Sequence, residues 1–223
     1  GEYLQRPDHN FARGQSAQFS VAPEYKGTMR RCENCHDYAK GHADWLPYIE
    51  THMRVVACET CHIPQMYAPA IQTYDWTVVT LNGGVVETCR GVEGDTQAIT
   101  SLVTGYQPVL LNRTNIDGET LLAPYNLITS FYWVYDDANG NKRPLRLLDL
   151  EAVYLENGKY AADIVSAFDA NGDGQLSRDE LVIDSEAKLV LVRDKLNALG
   201  LDNPRIEAIT QPYSINHNVA QGK

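Results

Sequence analysis

Phenylalanine is scarce in this chain, 4 residues in 223 against 13 tyrosines, so its aromatic surface is amphipathic rather than purely apolar. Basic residues are short as well: 19 Lys and Arg face 29 Asp and Glu, for a formal net charge of −10. That balance argues against a nucleic-acid or anionic-membrane partner and favours cations or a basic redox partner. No apolar run approaches the roughly 20 residues of a membrane helix. There is no low-complexity segment and no internal repeat except one short motif. Hydrophobic residues still make up 43% of the chain, enough for a packed core in one large domain or two modest ones.

Cysteine is also sparse, and four of the five fall into one pattern. Cys32-Glu33-Asn34-Cys35-His36 recurs as Cys58-Glu59-Thr60-Cys61-His62, two C-x-x-C-H sites of the kind that attach c-type haem. The spacing serves the chemistry. Two thiols one helical turn apart reach the two vinyl groups of one porphyrin, and the adjacent His supplies the proximal imidazole. One chance match is expected on the order of a few times in a thousand chains of this composition, and two close together are hard to explain that way. Each haem would add two propionates to an already acidic chain.

Zinc is the competing reading, since Cys32, Cys35, Cys58 and Cys61 also suffice for a four-thiolate site. A zinc ribbon has no need for His after each second Cys, and here both pairs carry it. A C-x-x-C disulfide is strained and more often redox-active than structural. Cys89 has neither a C-x-x-C partner nor a following His and reads as a plain thiol. Covalent haem is attached outside the cytoplasm. The chain carries no signal peptide, so it is expected to be the mature form of an exported, periplasmic or extracellular protein.

Electron-transfer haems are usually six-coordinate, so each iron needs a distal ligand. His9, His42, His52 and His217 are the spare imidazoles, with Met29, Met53 and Met66 as thioether alternatives. His42 follows His36 too closely to reach across the same porphyrin and suits the second haem. His52 lies a full helix from the first motif and can fold back over the first. His9 and His217 can replace either, or reach a haem in a neighbouring subunit.

An α+β chain is expected. Residues 1–75 form an irregular dihaem region wrapped around cofactors, with short helices at each motif and another over Leu46–Arg54. Residues 76–145 are β-rich: the runs on either side of Asn82-Gly83-Gly84 predict a hairpin, and Leu127–Tyr135 a further strand closed by a turn. Residues 146–223 are helical, with periodic segments over Tyr160–Phe168 and Glu186–Leu199, Ser185 as N-cap and Gly200 as stop. Asn203-Pro204 opens a tail.

Between those helices, residues 169–180 fit the EF-hand loop. Asp169, Asn171 and Asp173 would give side-chain oxygens, Gln175 its carbonyl, Ser177 a direct or water-borne contact and Glu180 a bidentate carboxylate, with Gly174 at the sharp turn. The alternative is a solvated acidic turn. With no second EF-hand to pair, the expectation is one structural Ca2+ rather than a sensor.

Gly41–Tyr48, His52 and Val56–Pro64 together resemble multihaem cytochromes of the octahaem tetrathionate reductase type. His9–Gly14, Tyr74–Trp76 and His217–Ala220 resemble further segments of that family. The resemblance implies closely packed bis-His haems and favours His42, His52 and His217 as ligands. This chain has two haem motifs instead of eight and lacks the C-x-x-C-K motif that resembles a catalytic haem. The function expected is therefore electron transfer through two haem c groups, without a catalytic site. Partners are expected to be other redox proteins or copies of itself, in a homo-oligomer or filament-like extracellular conduit. The alternative is a small reductase of sulfur or nitrogen oxyanions with one open iron, for which Arg30, Arg31 and Arg54 offer positive charge. A calcium-dependent adhesion module carrying haem is a third.

Overall fold

The computed structural model describes residues 32–94, 100–114, 118–216 and 219. In chain order its helices are α1 Tyr38–His42, α2 Ile49–Met53, α3 Cys58–His62, α4 Leu147–Tyr154, α5 Ala162–Phe168 and α6 Glu186–Ala198. Its strands are β1 Ala70–Trp76, β2 Val86–Arg90, β3 Val92–Glu93, β4 Leu102–Val103, β5 Val109–Thr114, β6 Thr120–Asp136, β7 Lys142–Pro144, β8 Leu155–Glu156, β9 Lys159–Tyr160 and β10 Asp202–Ser214. The chain is α+β. It divides into two compact units: Gly1–Ala70 with Arg90–Leu127 and Pro212–Lys223, and Ile71–Cys89 with Ile128–Gln211.

In the first unit β5 and the first part of β6 form an antiparallel pair from Val109↔Tyr125 to Thr114↔Thr120. A small buried cluster of Ile63, Met66, Ile215 and Val219, with Tyr106 against it, is the apolar centre of this unit. Trp45, Tyr48 and Val55 meanwhile remain exposed.

The second unit has an ordinary core. Parallel pairing of β1 with β6 (Thr73↔Thr129 to Trp76↔Tyr132) and antiparallel pairing of β6 with β7 build its sheet, with β2 beside β1 and β10 beside β6. Trp133, Tyr154, Phe168, Ile164, Val192 and Leu196 pack against them, each about 1% exposed or less. The two polar tips in this core share one acceptor. The Trp133 indole N–H and the Tyr154 hydroxyl donate to the Thr77 carbonyl at 3.0 and 3.3 Å. Buried aromatics with such tips need a partner of this kind.

Helix α6 follows its sequence signals. The Ser185 hydroxyl caps it at the Lys188 N–H (3.4 Å), Lys188, Val192 and Leu196 line one buried face, and Gly200 at φ +83° ends it. Two segments differ from expectation. The strand entering the Asn82-Gly83-Gly84 turn ends at Trp76, because Val78 and Val79 turn into the core. The expected tail is strand β10. Asn203 takes φ +49° before a buried Pro204, and Asn203 and Arg205 both bind Asp136 (2.8 and 3.0 Å), which docks a segment whose breakers read as coil.

Candidate metal centre

Helix α3 carries the second motif and is bound tightly to the β5–β6 pair. Leu122 receives the Ala57 N–H at 2.8 Å and the Thr60 hydroxyl at 2.7 Å on its carbonyl, and donates its own N–H to Val55 at 2.8 Å. Glu59 points inward, its side chain 9% exposed, and meets the Arg113 guanidinium at 3.0 Å. Arg113 uses its other amino group to reach the Ser214 hydroxyl at 3.1 Å. Glu59 and Thr60, the two residues between the cysteines, thus face the scaffold.

The first motif is a single tight turn over Cys32–Asn34, where the N–H groups of Cys35 and His36 both donate to the Cys32 carbonyl (3.1 and 2.9 Å). Asp37 then caps α1, accepting from the Ala39 and Lys40 N–H groups, so the chain passes directly from His36 into the helix that carries His42.

The structure brings His42 to His62. Their ring centres lie 6.0 Å apart at an interplanar angle of 87°. Two metal–nitrogen bonds of about 2 Å, plus about 1.1 Å from each nitrogen to its ring centre, sum to about 6.2 Å for imidazoles facing each other across one metal. His42 Nδ1 is 2.7 Å from the Tyr38 carbonyl. With Nδ1 as donor, Nε2 keeps its lone pair, the arrangement that orients metal-binding histidines. Trp45 packs on the same imidazole at 5.4 Å and donates its indole N–H to the Gly41 carbonyl.

The motifs also meet at their first cysteines. The Cys58 thiol lies beside Cys32 and 3.8 Å from a Glu33 carboxylate oxygen. Its pKa is pushed up, first by the hydrogen bond with Cys32, then by burial and the neighbouring Glu33 and Glu59. A groove of about 270 Å3 opens at Cys58, with Met53, Val56, Ala57 and Leu121 as apolar wall and Glu33, Glu50 and Arg54 among its polar residues. The residues at the second motif are compatible with a haem: thiols on one helical turn, two imidazoles with ring centres 6.0 Å apart, and a groove of mixed polar and apolar lining beside the attachment.

Cys35, Cys61 and His36 are exposed, and His52 is exposed on α2. Met66 is buried in the cluster with Ile63. His9, His217, Met29, Arg30 and Arg31 lie outside the described residues. No three His, Cys, Asp or Glu converge on one metal position among the described residues, at the four cysteines or in the acidic loop. Cys89 is a half-buried strand thiol whose pKa is raised, chiefly by burial.

In the acidic loop, Gly172 and Gly174 have φ near +77° and +79°. Asp169 accepts from the Gly172 and Gly174 N–H groups, Asn171 from Asp173, and Asp173 from Gln175. Glu180 closes the loop through the N–H groups of Ala170, Asn171 and Ser177 and the Ser177 hydroxyl. Those bonds, Ser177 foremost, hold its carboxyl down at about 2. The loop thus has a tight backbone, its carboxylates engaged by the turn itself.

Arg113 and Leu122, which fix α3, were not identified from the sequence. Arg113 is 54 positions from Glu59, and no local pattern marks either residue.

No protein-family model matches the chain, and no curated protein matches it. Among solved structures, it is similar to the crystal structure of octaheme cytochrome c from Shewanella oneidensis, with 18% identity and a TM-score of 0.39. The alignment covers 95% of this chain and 48% of that one, so the chain spans about half the length of the structure it matches. None of the described helices is long and apolar enough to cross a membrane.

Proposed function

We propose that the chain is a dihaem c-type cytochrome that passes electrons between two haems without a substrate site. The observation that carries this reading is the interleaving of the motifs. The helix that follows His36 presents His42 to His62, and Cys32 touches Cys58. Groups attached at the two motifs would lie close to each other, which would suit electron exchange.

Cys58, Cys61 and His62 would hold one haem with His42 as its distal ligand. Cys32, Cys35 and His36 would hold the other, with His52, His9 or His217 opposite. The haem supplies a one-electron iron couple. This chain would orient the imidazoles: with His42 Nδ1 donating to the Tyr38 carbonyl, Nε2 would be left for iron, and Trp45 packs on the same ring. The exposed Trp45, Tyr48 and Val55 of the first unit favour this, since a porphyrin would give apolar side chains a surface to pack on.

We also propose one structural Ca2+ held by Asp169, Asn171, Asp173, the Gln175 carbonyl, Ser177 and Glu180, with Glu180 turning from the backbone to the ion. The chain acts outside the cytoplasm, and its spare histidines suit self-association into a conduit, a subunit lending His9 or His217 to its neighbour. Heterologous contacts of that kind propagate.

An EPR spectrum of the oxidised holoprotein, run beside size-exclusion chromatography, tests the reading. Two low-spin bis-imidazole haems in a large assembly support it. A high-spin component in a monomer replaces it with the open-iron reductase. Low-spin haems in a monomer retain the cytochrome and remove the shared ligand.

A further inference from the structure

We infer that the Glu59–Arg113 pair sets the reduction potential of the haem at the second motif; this rests on the haem reading above. Glu59 stands three residues before His62 on α3, and its carbonyl accepts the Ile63 N–H at 2.7 Å. Side chains at that helical spacing are neighbours, with Cβ atoms about 5–6 Å apart. Glu59 is thus rooted one helical turn from the proximal ligand, with its carboxylate turned to Arg113.

It is also a charge removed from water. Glu59 is among the few buried charged residues described, and Arg113, 25% exposed, is its ion-pair partner at 3.0 Å. The Ser214 hydroxyl and the strand pairing of β5 fix where that guanidinium sits. Charges in such a setting are screened far less than on the surface. Oxidised iron carries one more positive charge than reduced iron. An uncompensated carboxylate beside it favours the oxidised state, and an uncompensated guanidinium the reduced state. The pair as built nearly cancels, holding the second haem between those extremes. The first motif has an exposed Glu33 at the corresponding position, so its haem lacks this control.

The test is a spectroelectrochemical titration of the holoprotein carrying Glu59→Gln, Arg113→Gln, both together, or Arg113→Lys, with haem content measured on each. Glu59→Gln is expected to raise one of the two potentials and Arg113→Gln to lower the same one. Each shift should change the reduced-to-oxidised ratio at fixed potential by about tenfold, equivalent to about 59 mV for one electron. The paired substitution and Arg113→Lys are expected to return close to wild type. A merely structural brace would move both single variants the same way or neither, and either result overturns the inference while leaving the haem reading intact. If Arg113→Gln loses its haem, Glu59→Gln alone decides, by a rise or its absence. A wild-type chain without covalent haem overturns both.

Discussion

Replacing His42 with alanine is expected to convert one of two irons to high spin and leave the other unchanged. The ring centre of His42 lies 6.0 Å from that of His62, a separation that would allow both to bind one iron. Alanine stops at Cβ, so the space of a whole imidazole opens opposite His62. Its nearest described ring neighbour, Trp45 at 5.4 Å, offers only an N–H donor and cannot replace the ligand. Half of the low-spin EPR intensity should therefore move to the high-spin region, and added imidazole should restore it. The fold should survive, because the side chain is only half-buried and its bond to the Tyr38 carbonyl is worth about 1 kcal/mol. Two haems that stay low-spin, with unchanged potentials, would refute the pairing of His42 with His62. Two that both become high-spin would show that His42 braces the whole region instead of one iron.

Leu196→Ala removes a side chain with no solvent exposure from the second unit's core. It should cost about 2–5 kcal/mol in urea unfolding while leaving the haem spectrum unaltered. The Asp136 carboxyl is held below the usual carboxylate range, first by Asn203 and then by Arg205. A depressed carboxyl stabilises above its unfolded value, and that contribution is lost as pH falls through the folded value. The gap in urea midpoint between wild type and Asp136→Asn should therefore be present at neutral pH and shrink below about pH 4. Calcium at about 100 times its dissociation constant should stabilise the fold by about 2.7 kcal/mol in thermal melts. Chelation should reverse that gain and Glu180→Gln abolish it; a wild-type melt indifferent to calcium would reduce the loop to an acidic turn.

The chemistry legible in the sequence is the chemistry written contiguously. In Cys58–His62 the residue spacing is itself the reactive geometry. In residues 169–180 the glycines and acids define the turn by themselves. Helix α6 is legible for a similar reason, since Ser185, the buried stripe and Gly200 all lie within one element. What the sequence conceals depends on partners far along the chain. Trp133 and Thr77 are 56 positions apart, and nothing near either predicts that the Thr77 carbonyl will take both the indole and the Tyr154 hydroxyl. Strand β10 is masked by Asn203-Pro204, breakers whose effect is absorbed by one left-handed residue and two bonds to Asp136. The sequence favours His42 for the second haem and His52 for the first by spacing alone, and leaves His9 and His217 able to replace either. In the structure His42 lies with its ring centre 6.0 Å from that of His62, while His9 and His217 lie outside the described residues.

The most direct measurement is the intact mass of the chain, produced with a c-type haem attachment system and weighed under denaturing conditions. Two haems covalently bound to each chain are expected, at Cys32/Cys35 and Cys58/Cys61. A polypeptide that sheds its metal on denaturation and weighs no more than its amino acids would contradict the dihaem assignment outright.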